Sequence, residues 1–166
     1  LVAVVVHRLA RYALSEDRAR IAAGIAALHP GLIAYSAVVM TELLAALLVT
    51  AALWFAVRAR GRWLGMGLTG VTIGLATLVR PPSLLVAPLL LLVVPGAYWK
   101  ALLKVGAVTA LATLVVLPWT LRNCRVMDGC AFVSTNGGWN LAIGALTETG
   151  RFSQALELVR PPGHHA

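Results

Sequence analysis

Hydrophobic residues in this chain come in long uncharged blocks instead of one-sided stripes. Residues 21–41, 43–57, 63–79, 81–99 and 105–121 contain no Asp, Glu, Lys or Arg, and short polar or basic links separate them. A surface helix of a soluble domain keeps a polar face, whereas a helix in lipid is apolar all round and needs about 17 to 25 residues to cross. The pattern therefore predicts an all-α, polytopic transmembrane helical bundle of about five spans. Residues 1–6 add an apolar strip too short to span, with no n-region or cleavage site of a signal peptide. It reads as the remnant of a further helix, so the chain is expected to be an internal piece of a longer protein. Residues 1–125 then form the membrane region, and residues 126–166 a truncated, irregular outer segment.

Composition agrees: 60% of residues are hydrophobic and 12% charged, against about 45–50% and 25% in soluble domains. The net charge of +8 would suggest a nucleic-acid partner in a soluble protein, but the positions of the charges point elsewhere. Arg8, Arg11, Arg18 and Arg20 precede the first span, Arg58, Arg60 and Arg62 lie between the second and third, and Lys100 and Lys104 between the fourth and fifth. If each block crosses once, these nine basic residues share one side, and the opposite links hold only Arg80, then Arg122 and Arg125 where the tail begins. Basic residues collect on the cytoplasmic side, so Glu42, Arg80 and the region from Arg122 onward are expected on the outer face of the inner (plasma) membrane. Membrane lipid is the partner this implies, and nucleic acid is not.

Several interruptions qualify the simple picture. Ser15 stands where it can cap the helix that begins at Glu16. His29-Pro30-Gly31 breaks the first span partway across, which is tolerated where neighbouring protein or a cavity satisfies the freed backbone groups; a plain kink in a packed helix fits as well. At Met40-Thr41-Glu42 two spans meet with almost no loop. Thr41 suits an N-cap and Glu42 the positive end of the helix dipole, while an acid at membrane depth also marks a candidate cavity residue. Gly70 and Gly74 form a GxxxG pair that lets a neighbouring helix approach closely. Arg80 precedes Pro81-Pro82 at the end of the third span, where it either snorkels to the headgroups or binds an anion. Pro88 and Pro95 bend or shorten the fourth span, and Tyr98, Trp99 and Lys100 make an interfacial belt.

Beyond the last span the chain turns polar. Pro118-Trp119 ends an apolar helix and Arg122-Asn123 follows at once, as where a span leaves lipid for the mouth of a site. Cys124 and Cys130 are expected as two unpaired thiols, a bridge between them being the alternative in an oxidising compartment. Residues 126–133 surround Asp128-Gly129 with apolar side chains, so a small hairpin is expected there. In the run STNGGWN, Asn136, Gly137, Gly138 and Asn140 allow close approach to a polar ligand and Trp139 offers a stacking surface, although a solvated loop has the same composition. No Cys/His spacing suggests a metal, no phosphate-binding loop of the GxxxxGK[ST] type is present, and His164 and His165 have no partners at ligand spacing.

The runs HPGLIAYSAVVMTELLAALL, GLTGVTIGLATLVRP, PWTLRN, FVSTNGGWNLAIG and TETGRF, in that order, resemble the bacterial integral-membrane glycosyltransferases related to protein O-mannosyltransferases and the lipid A aminoarabinose transferase, which share the GT-C fold. That resemblance implies an inverting transferase that takes a sugar from a polyprenyl-phosphate donor and passes it to a glycan, lipid or protein acceptor on the outer face. It needs no cofactor, since the sugar arrives on its lipid. By the resemblance Arg80 sits among the donor-site residues, Arg122 and Asn123 lie near the phosphate, Glu42 matches an acid at the start of its helix, and Asn136, Gly137, Gly138 and Asn140 match an outer-loop signature. The family's catalytic carboxylate lies in the loop after its first span, upstream of residue 1, so no residue here takes that role and the piece is expected to be inactive alone.

Two other classes fit parts of the pattern. A secondary transporter also has broken helices and a midplane acid, but it usually carries internal repeats, and the two halves of this sequence show none. A structural membrane subunit gives no reason for Arg80, Arg122 and Asn123 to share one face.

Overall fold

The computed structural model describes residues 1–37, 41–127 and 130–134. Its elements are α1 (Val2–Ala10), α2 (Glu16–Ala27), α3 (Pro30–Ala37), α4 (Thr41–Ala59), α5 (Trp63–Val79), a chain of short turns from Pro81 to Leu92 containing α6 (Val86–Leu89), and α7 (Tyr98–Val126). The described residues contain no strand, and the architecture is that of a membrane helical bundle. Ser15 does occupy the N-cap position of α2, but its side chain makes no capping hydrogen bond. Thr41 is the first described residue of α4, and the residues before it lie outside the described ones.

The five uncharged blocks do not become five equal helices. Among the described residues only α4, with 19 residues, and α7, with 29, are both long and apolar enough to cross by themselves. The first block is divided at Leu28-His29, with α3 restarting at Pro30, where proline's missing N–H costs nothing at a helix start. The fourth block is a succession of short helical pieces, Pro81–Leu85, Val86–Leu89 and Leu90–Leu92. At about 1.5 to 2 Å of rise per residue those pieces fall short of a ~30 Å hydrocarbon core. The fifth block also differs from expectation. Its helix runs through Pro118 and ends only at Val126, so the helix does not stop at Pro118-Trp119. One missing backbone donor does not end a helix whose following turns are anchored by side chains, as described below.

The core is built from small residues. Helix α4 buries Ala45, Ala52, Ala56 and Ala59, and α5 answers with Met66, Thr69, Gly70, Ile73, Gly74, Ala76 and Thr77. Thr69 and Thr77 are fully buried, and each hydroxyl donates to the carbonyl four residues back, at 2.9 and 2.8 Å, so neither polar group is left unpaired. The α4–α5 turn is tight: Arg60 and Gly61 have φ of 46° and 77°, and Gly65 lies against Ala59.

On its other side α5 meets α7, and here Gly74 is required and Gly70 fits closely. A Cβ on Gly70 would lie 3.1 Å from the Val108 carbonyl oxygen, and one on Gly74 would lie 2.7 Å from Val115 Cβ and 2.9 Å from the Ala112 carbonyl oxygen. Residue 70 thus faces residue 108 and residue 74 faces residue 112, so the two helices run parallel. The broken segment after Arg80 therefore has to return the chain to the starting end of the bundle. It does so packed against both helices, with Ala87, Leu90 and Val94 in the same buried cluster as Ile73, Val105 and Val108. At the far end of this return the Pro95 carbonyl and Lys104 Nζ lie beside Gly61, in the α4–α5 turn.

Two expectations about the chain beyond α7 are corrected. No hairpin forms over the described part of residues 126–133, and Asp128-Gly129 lies outside the described residues. Cys124 and Cys130 are not free thiols but a disulfide, with Cα atoms 4.1 Å apart. Because α7 carries Cys124 in its last turn and the chain then doubles back, the two residues meet without any strand pairing.

The glycine contact gives a direct test. Gly74→Ala should lower stability by about 1 to 3 kcal/mol in detergent-solubilised protein, the usual cost of overfilling a packed interface. Gly67→Ala, where a Cβ would meet nothing within 4 Å, carries the same change in helix propensity without the clash. Thermal unfolding of both variants isolates the packing term, and equal melting temperatures would contradict the α5–α7 contact.

Candidate functional site

Proline places the first site residue. The residue before a proline is driven to extended backbone, and Arg80, before Pro81, has φ −143° and ψ 111° while its N–H still closes the last turn of α5 on Ala76. Its side chain thereby leaves the helix end and meets Glu42 in the first turn of α4, which runs antiparallel to α5. Arg80 Nη2 donates to Glu42 Oε1, joining residues 38 apart in sequence. The carboxylate is about one quarter exposed and the guanidinium about one half, so the pair is worth only a modest amount of stability. Glu42 Oε2 is shielded from solvent and has no hydrogen-bond partner among the described residues.

The second group sits at the end of α7. Residues 119, 120 and 123 share one helical face, and all three side chains donate to the returning segment. Trp119 Nε1 reaches the Val133 carbonyl at 3.0 Å, Thr120 Oγ1 the Phe132 carbonyl at 2.6 Å, and Asn123 Nδ2 the Ala131 and Val133 carbonyls at 3.2 and 3.1 Å. Asn123 is 3% exposed, so its amide is spent on holding the backbone of 131–133. With the disulfide, these bonds fold the returning segment onto α7.

Arg122 lies on the adjoining face and is exposed. Its guanidinium rests 4.9 Å from the Trp119 ring centroid, and Nη1 makes a long 3.4 Å contact with Asn123 Oδ1. No carboxylate lies within ion-pair distance of it among the described residues. The stacking fixes the guanidinium plane while leaving its charge uncompensated.

Because α5 and α7 are parallel and register residue 74 with residue 112, the Arg80 end of α5 and the Trp119–Arg122 turn of α7 are at the same end of the bundle. The structure thus brings Glu42 to Arg80 directly, and Arg122 to Asn123 and Trp119. Asn136, Gly137, Gly138 and Asn140 lie outside the described residues. Sequence reasoning missed Trp119 and Thr120 as anchors of the returning segment. The signal was their i, i+1, i+4 spacing with Asn123, three side-chain donors on one face of an otherwise apolar helix. Below this turn an apolar groove of about 790 Å³ runs along α7 from Leu102 to Leu117, walled on its far side by Pro88 and Leu91.

Residues 1–121 match the family described as dolichyl-phosphate-mannose-protein mannosyltransferase. The match takes in Glu42 and Arg80 and stops just before Arg122. No curated protein and no solved structure gives a match.

The clamp at the end of α7 predicts graded losses. Asn123→Ala removes the donor shared by two carbonyls and should cost about 1 to 3 kcal/mol, whereas Trp119→Phe removes one hydrogen bond and should cost about 0.5 to 1.5 kcal/mol. Thermal unfolding together with protease cleavage between residues 130 and 134 reads both effects. Parental behaviour of both variants would mean that the segment is held by the disulfide alone.

Proposed function

The chain belongs to the dolichyl-phosphate-mannose-protein mannosyltransferase family, and from that premise we propose that it holds the lipid-phosphate donor in transfer of a sugar from a polyprenyl-phosphate carrier to an acceptor on the outer face of the cell membrane. The observation that carries the reading is Arg122: a guanidinium held against Trp119, without a carboxylate partner among the described residues, at the same end of the bundle as Arg80. A lipid phosphate suits the planar fork.

In such a transfer the acceptor hydroxyl attacks the sugar's anomeric carbon while the bond from that carbon to the phosphate oxygen breaks. Negative charge grows on the departing phosphate, and a fixed cation at that point stabilises the transition state more than the ground state. Arg122 takes this role. Arg80, already paired with Glu42, contributes a second positive group at the same end of the bundle. Glu42 orients it and keeps Oε2 for a donor on the sugar or acceptor. Asn123 acts by fixing the returning segment beside Arg122 rather than by touching the phosphate. Asn136, Gly137, Gly138 and Asn140, outside the described residues, are assigned to the sugar on sequence alone. The proton of the acceptor hydroxyl needs a base, and no residue of this chain is assigned to it. A cofactor is not required, since the phosphoester supplies the leaving group.

Two features support an outer location for this end. The Cys124–Cys130 disulfide suits an oxidising compartment, and the basic links gather at the opposite end.

Arg122→Gln should weaken binding of polyprenyl phosphate to the purified protein in nanodiscs by about 1.5 to 3 kcal/mol, roughly 10- to 150-fold, the range for a hydrogen bond to a charged group. Arg122→Lys should recover part of the loss, because it keeps the charge without the fork. Parental binding by a folded glutamine variant would remove Arg122 from the phosphate site.

A further inference from the structure

The opposite end of the bundle holds a second cluster of arginines that the donor site does not use. Arg8 and Arg11 at the end of α1 and Arg58 at the end of α4 line a cleft of about 270 Å³ together with Tyr12 and Trp54. A second cleft of about 480 Å³ shares Tyr12 and Arg58 and adds Arg60 and Arg62 of the α4–α5 turn. The two clefts are therefore neighbours about Arg58, whose guanidinium lies 5.5 Å from the Trp54 ring centroid.

The acids available do not balance this charge. Glu16 already takes Arg11 at 2.9 Å and Arg20 at 3.4 Å, with His7 Nε2 3.3 Å away, and Asp17 is 3.8 Å from Arg20. Among the described residues no carboxylate lies within ion-pair distance of Arg8, Arg58, Arg60 or Arg62. Four guanidinium groups thus converge on adjoining clefts without internal partners. The wall of the larger cleft away from the arginines is apolar. Leu64 and Leu68, one turn apart on α5, line it and are 83% and 47% exposed.

A cation cluster beside an outward apolar wall, at the end of membrane helices, has the chemistry of an anionic lipid site. We propose that these clefts bind an anionic glycerophospholipid, with the phosphate between Arg8, Arg58 and Arg62 and the acyl chains along Leu64 and Leu68. Tyr12 and Trp54 border the headgroup as interfacial aromatics. A free phosphate shares the headgroup's charge but has no use for the leucine wall. This site lies at the end of the bundle remote from Arg122 and does not depend on the donor reading.

The test is native mass spectrometry of the purified protein, titrated with dioleoyl phosphatidylglycerol and, separately, dioleoyl phosphatidylcholine. Phosphatidylglycerol should be retained in preference. Arg58→Gln should weaken its retention about fivefold and Arg8→Gln with Arg58→Gln about twenty-five-fold, as expected if each basic residue contributes about equally at a membrane surface. Arg58→Lys should stay near the parent, and Arg18→Gln, outside both clefts, should match it. Leu64→Gln with Leu68→Gln should also weaken the lipid, which keeps the proposal open to test should loss of Arg58 prevent folding. Equal retention of the two lipids, an unchanged Arg8/Arg58 variant, or displacement of the lipid by millimolar glycerol phosphate would each overturn the assignment; the last would make the clefts a site for a soluble anion.

Discussion

The architecture depends on how closely α5 can approach α7. Gly74 leaves no room for a Cβ against Val115 and the Ala112 carbonyl, and Gly70 leaves only a tight fit against the Val108 carbonyl and Leu111. In a bilayer, apolar side chains gain little by leaving lipid for protein, so association rests on van der Waals contact, which small residues maximise. The same contact sets direction. With residue 70 on 108 and 74 on 112, the helices must be parallel, and the chain between them must recross the bundle. Pro81, Pro82, Pro88 and Pro95 make that return irregular, and the irregular piece survives because α5 and α7 cover it.

Parallel packing also decides what shares an end. Arg80 leaves α5 where Pro81 breaks the helix, and Arg122 projects from α7 about one turn beyond residue 118, the level that the glycine register sets for Arg80. Their environments are not equivalent. Arg80 faces Glu42, a neutralising partner supplied by the antiparallel α4, whereas Arg122 has an aromatic face and an amide oxygen. Charge at this end is therefore divided between the compensated Arg80 and, among the described residues, Arg122 and Arg125 without carboxylate partners. At the other end Arg8, Arg58, Arg60 and Arg62 are uncompensated together. Each end thus offers a different anion-binding chemistry, a guanidinium stacked on Trp119 and a group of four beside a short apolar wall.

Much of this was legible in the residues and some was not. Uncharged blocks gave the helical membrane bundle, because lipid selects composition independently of packing. The GxxxG pair marked a close contact but not its partner or direction, since both depend on distant residues 108–115. Glu42 and Arg80 were each recognisable as costly charges near an apolar boundary. Their pairing was not, because it follows from α4 and α5 being antiparallel neighbours. Pro118 read as a stop, yet α7 continues to Val126 because Trp119, Thr120 and Asn123 are anchored by the returning segment. The disulfide escaped for a related reason: a spacing of six residues says little until a helix end and a reversal bring the sulfurs together. Asn136, Gly137, Gly138 and Asn140 lie outside the described residues, so their part in the site rests on sequence.

The donor site requires the end of α7 to face the oxidising side of the membrane with its cysteines joined. Labelling of intact cells by a membrane-impermeant maleimide measures both at once. The parent should remain unlabelled, then take up two labels after treatment with an impermeant phosphine reductant, while Ala59→Cys adds a further label only once the membrane is permeabilised. Labelling of Cys124 and Cys130 only after permeabilisation, without any reductant, would put that end inside the cell as free thiols and would contradict both the orientation and the donor site built on it.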